Sequence, residues 1–140
     1  MPWVVIAALL ATYVGLIVYV MPVLELRKVV PDLAGWVAAR AAPSDRLGSF
    51  RLNRWSPAYR FYVGRHVTFL EDPAETQAFF KTPQPFFCIM RRDAYDEFVA
   101  AGARLKIVYE REGVNATSGR MLWRTRTPQL VPFVVVTEAR

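Results

Sequence analysis

Apolar and polar positions along the chain fall into two regimes. From Met1 to Leu24 no side chain is charged, and Thr12, Tyr13 and Tyr19 are the only notable polar groups. A stretch of that length at ~1.5 Å per residue reaches ~36 Å, enough to cross a hydrocarbon core of ~30 Å with some tilt. A segment alone in lipid must be helical, since no water is there to satisfy its backbone. Thr12 can return its hydroxyl to its own helix. Trp3 and Tyr19 stand near opposite ends, where amphipathic rings favour the interfaces, and Pro22, Glu25, Arg27 and Lys28 mark the exit. A cleaved leader would show a basic start and a shorter apolar core, and neither is present. The pattern predicts a transmembrane helix over 1–24.

Beyond it the periodicity changes. Leu26, Val29, Val30, Leu33, Trp36, Val37 and Ala41 recur at helical spacing, and Pro31-Asp32 starts a helix well. The expectation is a helix over 31–41, packed on the domain or lying along the headgroups, within a juxtamembrane segment and linker over 25–46. The α/β domain proper then covers 47–140. Strands are predicted at 47–52, 66–70 and 86–90, and the last is a continuous apolar run of the kind found in a central strand. Helices are predicted between them. Ser56-Pro57 opens one that Gly64 stops. Asp72-Pro73-Ala74-Glu75 opens another, which buries Ala78, Phe79 or Phe80. Asp93 opens a third over 94–101, stopped by Gly102. Further strands are expected at 105–109, at 121–126 as a charged edge, and at 130–135 despite Pro132, with a turn or loop over 111–119. This order predicts an α/β fold: one N-terminal transmembrane helix, then a small, mostly parallel sheet covered by helices, with an antiparallel edge.

Composition sharpens the picture in two places. The 54% apolar content is high because of the first segment, and the net charge of +6 belongs wholly to the part beyond it. A basic domain beside a bilayer is drawn to anionic headgroups, by about 1 kcal/mol per well-placed Lys or Arg. Arg51, Arg54, Trp55, Tyr59 and Arg60 are the residues suited to a phosphate or polar headgroup, through charge and stacking, although a loop on a basic domain would look the same.

Catalytic chemistry finds little to work with. Cys88 is the one cysteine and His66 the one histidine, so no zinc spacing, Cys–His couple or internal disulfide can be written. Cys88 lies in an apolar run and reads as a buried thiol; His66 begins a strand and reads as structural. Glycine-rich phosphate loops are missing, Glu71 and Asp72 read as helix caps, and Asn115-Ala116-Thr117 fits a glycosylation pattern short enough to arise by chance. No cofactor or metal is expected.

The order of elements carries more than any one residue. An apolar helix is followed by Asp32-Leu33-Ala34-Gly35-Trp36-Val37-Ala38-Ala39-Arg40, then Pro43-Ser44-Asp45-Arg46-Leu47, then Ser56-Pro57-Ala58-Tyr59-Arg60-Phe61-Tyr62-Val63-Gly64-Arg65. Pro83-Gln84-Pro85-Phe86-Phe87 and Gly102-Ala103-Arg104-Leu105 come later. Together these resemble the C-terminal end of polytopic glycosyltransferases of the protein O-mannosyltransferase and lipid A aminoarabinose transferase type, from the last membrane helix through the terminal α/β domain. The resemblance implies a polyprenyl-phosphate-linked sugar donor and transfer on the extracytoplasmic side. The acidic catalytic residues of that family lie in early loops between membrane helices, and those loops have no counterpart here, so no catalytic residue carries over. Charge alone would put the domain in the cytoplasm; the resemblance puts it outside, because earlier helices then fix the topology.

Two functions follow as expectations. The first is a non-catalytic C-terminal module of such a transferase, inactive alone, with the lipid bilayer and a polytopic transferase core as partners. The alternative is a free-standing, membrane-anchored protein whose basic, aromatic face binds anionic lipid or glycan. Nucleic acid is not an expected partner, since positive charge is its only support and no recognition motif is present.

Overall fold

The computed structural model describes residues 2–22, 28–52, 56–114 and 130–139. The N-terminal apolar run is helical throughout: α1 (Pro2–Gly15) continues into a π-helical turn (Leu16–Val20). The span Pro2–Val20, 19 residues, is long and apolar enough to cross a membrane. None of its side chains is buried against the rest of the chain. The Thr12 hydroxyl donates to the Ala8 carbonyl at 2.8 Å, so this polar group is satisfied inside its own helix.

The second helix, α2 (Val30–Arg40), carries Pro31 in its first turn, Asp32 beside it and Arg40 in its last turn, each where the helix dipole favours it. Val30, Leu33, Ala34 and Val37, spaced i, i+3, i+4, i+7, are its buried face. They join Leu47, Tyr59, Ile89 and Val135 in one core cluster. The helix therefore packs on the sheet instead of lying along headgroups, and the folded unit takes in Val29 and Val30 as well as the strands.

The remaining elements are β1 (Arg46–Phe50), α3 (Ser56–Val63), β2 (Thr68–Leu70), α4 (Pro73–Phe80), β3 (Phe86–Arg91), α5 (Arg92–Ala100), β4 (Leu105–Val114) and β5 (Leu130–Glu138). Local signals place most of their ends. Asp72 caps α4 by accepting from the Ala74 amide, Gly64 ends α3 at φ +68°, and Gly102 ends α5 at φ +89°, a backbone angle that glycine adopts without strain. Within α4, Phe79 and Thr76 are buried, Phe80 is half-buried and Ala78 is exposed. Thr76 tolerates burial because its hydroxyl donates to the Asp72 carbonyl at 2.8 Å.

The five strands form one sheet in the order β2-β1-β3-β5-β4. β1 runs parallel to β2 and to β3, whereas β5 runs antiparallel to β3 and to β4. This is an α/β fold with a parallel half and an antiparallel half. Alternation then distributes side chains to the two faces. Ile89, Phe133 and Val135 meet α2 and α3. Phe86, Cys88, Met90, Val134 and Val136 meet α4 and α5. Gly48 allows the second layer to close: a Cβ there would sit 3.0 Å from Phe79 Cζ and 3.4 Å from the Cys88 sulfur.

Several sequence expectations change: β2 begins at Thr68 and not at His66, and α5 begins at Arg92, with Asp93 inside its first turn. Glu110, Arg111, Glu112 and Gly113 continue β4 in place of the loop expected from 111, because each finds a partner on β5, down to Val114 opposite Leu130. Cross-strand bonding outweighs the poor strand propensity of those residues. β5 is longer than expected and lies inside the sheet. Pro132 is accommodated because β3 ends at Arg91 opposite Phe133, so Pro132 has a pairing strand on one side only. The predicted strand at 121–126 and the sequon at Asn115 lie outside the described residues.

Candidate functional site

Parallel strands end together, and here they define a rim. Phe50 is in register with Leu70, Ser49 with Ile89, and Arg91 with Phe133 and, across β5, with Arg111. α2 starts at this carboxyl-terminal rim, since Asp32 forms an ion pair with Arg111. Its other end lies at the opposite rim. There Arg65 donates to the carbonyls of Ala42, Pro43 and Asp45 at 2.8–2.9 Å, clamping the end of α3 to the turn that enters β1. Helices returning across the sheet thus bring Asp32, Asp72 and Asp93 to the carboxyl-terminal rim and Arg40 and Lys81 to the amino-terminal one. Dipole complementarity accounts for that separation of charge. In open α/β sheets ligands bind outside the carboxyl ends of parallel strands, at the point where strand order reverses. In this sheet that point lies between β1 and β3.

The sequence-predicted contact residues divide. Arg51 is on the rim, directly after β1, and exposed. It is the one non-glycine residue with positive φ (49°) among the described residues, a conformation that costs a non-glycine residue free energy. Its amide donates to the Leu70 carbonyl at 3.0 Å and its Nε to the Glu71 carbonyl at 3.1 Å, while its guanidinium sits 5.0 Å from the Phe50 ring centre. Arg54 and Trp55 lie outside the described residues. Arg60 is exposed on α3, but Tyr59 points the other way and is fully buried. Tyr59 is a core residue, because Ser56, Tyr59 and Val63 form the inward stripe of that helix.

Sequence reasoning missed three features. Arg91, the last residue of the central strand, and Arg92, the first of α5, share the rim, and both are engaged: Arg91 with Asp93, Arg92 with Asp96 and with Glu110 at 2.9 Å. The third is the outward aromatic pair Phe61 and Tyr62, packed edge to face at 5.6 Å, with Phe61 79% exposed. Its signal was legible, since these positions fall opposite the stripe 56, 59, 63.

Two titratable side chains of the core, Cys88 and Tyr59, are held protonated by their surroundings. Burial pushes the Cys88 thiol up, keeping it protonated and unreactive. Burial, and then the neighbouring Cys88, raise the Tyr59 phenol, with Arg65 opposing them. No group of three or more His, Cys, Asp or Glu residues suited to a metal occurs among the described residues. The Tyr59 hydroxyl has no hydrogen-bond partner among them either. Tyr59→Phe is therefore expected to leave stability within about 0.5 kcal/mol of the parent, where a loss above about 1 kcal/mol would reveal a bonded hydroxyl. The pH dependence has a definite sign. Both groups are protonated in folded and unfolded chains at neutral pH. Above about 8.5 for the thiol and about 10 for the phenol only the unfolded chain releases its protons, so stability should fall as pH rises. Tyr59→Phe should flatten the upper part of that fall in denaturant titrations. No family model, curated protein or solved structure matches the chain.

Proposed function

We propose that this chain is a membrane-anchored, non-catalytic module of a glycosyltransferase that uses a polyprenyl-phosphate-linked sugar, with its α/β domain on the extracytoplasmic face. The observation that carries the reading is the pairing of two parts. A 19-residue apolar helix with no buried side chain is joined to a domain whose described residues hold no metal-ligating cluster and whose one thiol is buried. Such a chain places a folded surface at a bilayer. The segments that carry the resemblance also sit at joints of the fold. Ser56–Val63 with Gly64 and Arg65 is the clamped helix α3, Pro85 leads into the central strand, and Gly102-Ala103 forms the turn from α5 into β4. Residues used in this way serve the shape of a module.

The test is purification of the full chain from native membranes in mild detergent, with identification of what accompanies it. A polytopic glycosyltransferase core is the expected companion. Lys106 is exposed, so Lys106→Cys should react with a membrane-impermeant maleimide in intact cells. Repeated purification without a transferase, together with a label-resistant, cytoplasmic domain, would overturn the proposal.

A further inference from the structure

The direction of α2 decides which end of the domain meets the membrane. The apolar span ends at Val20, the helix continues to Pro22, and Val29 and Val30, directly after Lys28, are buried in the core. Six residue steps separate Pro22 from Lys28. At ~3.5 Å per step the tether spans about 21 Å even when fully extended. It joins the domain at the start of α2, and the Asp32–Arg111 ion pair puts that start at the carboxyl-terminal rim of the parallel strands. The two rims are separated by a strand of five or six residues, roughly 17–20 Å. Turning the opposite rim to the bilayer would demand nearly the whole tether, stretched straight alongside the domain. With α2 starting at the carboxyl-terminal rim, that rim is the one nearer in chain length to the end of the membrane span.

We propose that the domain stands on its carboxyl-terminal rim against the phospholipid headgroups, where Arg51 meets their phosphates. Arg51 is suited to this by three properties. It is exposed on that rim. Its strained φ of 49° is held by bonds from its amide and Nε to the end of β2, which fix where the side chain leaves the surface. And it forms no ion pair among the described residues, whereas the neighbouring Arg91 and Arg92 are each committed to carboxylates. A guanidinium offers planar donors matched to phosphate oxygens. The rim turned toward the bilayer also carries the exposed carboxylates Glu71, Asp72 and Asp93, so the tether and not net charge sets the orientation, and Arg40, Lys81, Arg104 and Lys106, all exposed, are held away from it. This inference rests on α1 lying in lipid and is independent of any transferase partner.

The experiment places a fluorescent donor on the full chain in vesicles of phosphatidylcholine and phosphatidylglycerol that carry a headgroup-linked acceptor. Donors are attached through Glu71→Cys on the carboxyl-terminal rim, Lys106→Cys on the opposite rim, and Leu10→Cys in α1. Cys88 is fully buried and does not compete for the label. Energy transfer should be clearly stronger from position 71 than from 106, corresponding to a height difference of roughly 17 Å. Equal transfer, or stronger transfer from 106, would overturn the orientation. Arg51→Gly keeps the backbone angle accessible while removing the guanidinium, so a folded variant is expected. Its transfer from position 71 should drop, and an unchanged value would remove Arg51 from the contact. If position 10 shows no transfer, the anchor itself is not in lipid and the inference falls with it. A missing transferase in the purification would leave this result untouched, which keeps the two proposals separable.

Discussion

Leu33→Ala is expected to lower the stability of the purified chain in detergent by about 2–5 kcal/mol, read as a fall in its denaturation midpoint. Leu33 is 0% exposed on α2 and packs in the cluster formed with Tyr59, Ile89 and Val135. Removing its branched end leaves a cavity between helix and sheet, in a layer whose neighbours Ala34 and Val37 are also fully buried and cannot easily collapse into it. Ala39→Ser, at an exposed position of the same helix, should change stability by less than about 0.5 kcal/mol. The contrast separates two roles for α2. A helix lying on headgroups would respond to Leu33→Ala with weaker lipid association and an intact domain. A core helix responds with unfolding. A Leu33→Ala chain as stable as its parent would mean that α2 is not a structural layer.

Leu10→Arg tests the other half of the molecule. Residue 10 lies near the middle of the span Pro2–Val20, with its side chain 58% exposed and in contact with no core cluster. An arginine at the centre of a membrane helix costs about 2.5–3.5 kcal/mol on insertion scales. A cost near 3 kcal/mol changes partitioning roughly a hundredfold. Most of the chain should therefore leave the alkali-washed membrane pellet, while Leu10→Ala should stay there with the parent. The domain should unfold at the same denaturant concentration in both variants, since α1 contributes nothing to its core. Full retention of Leu10→Arg in the pellet would show that something other than α1 holds the chain to the membrane.

Local chemistry explains why so much of the secondary structure was legible. The cap at Asp72, the prolines at 31 and 73, and the glycines at 64 and 102 act through hydrogen bonds and backbone angles within a few residues. The strand end at Tyr109 was misplaced for the complementary reason. Arg111 to Gly113 read as a loop by composition, and only their pairing with residues 131–133 of β5 makes them strand. Tyr59 looked like a surface partner for Arg51 and Arg60 because it neighbours Arg60 in the chain. Its helix turns it inward, a fact latent in the spacing of 56, 59 and 63 but decided by the sheet beneath.

Taken alone, the order of amino acids settles that residues 1–24 lack any charge, that short helices alternate with strands beyond them, and that the chemistry for catalysis is sparse. These are properties of composition and near neighbours. The insertion of β5 between β3 and β4, the burial of α2 as a core layer, and the gathering of Arg51, Arg91 and Arg92 on one rim belong to the folded chain. Each depends on contacts between segments far apart in sequence. Their free energy comes from burying both faces of one sheet at once, and no local window of residues contains that condition.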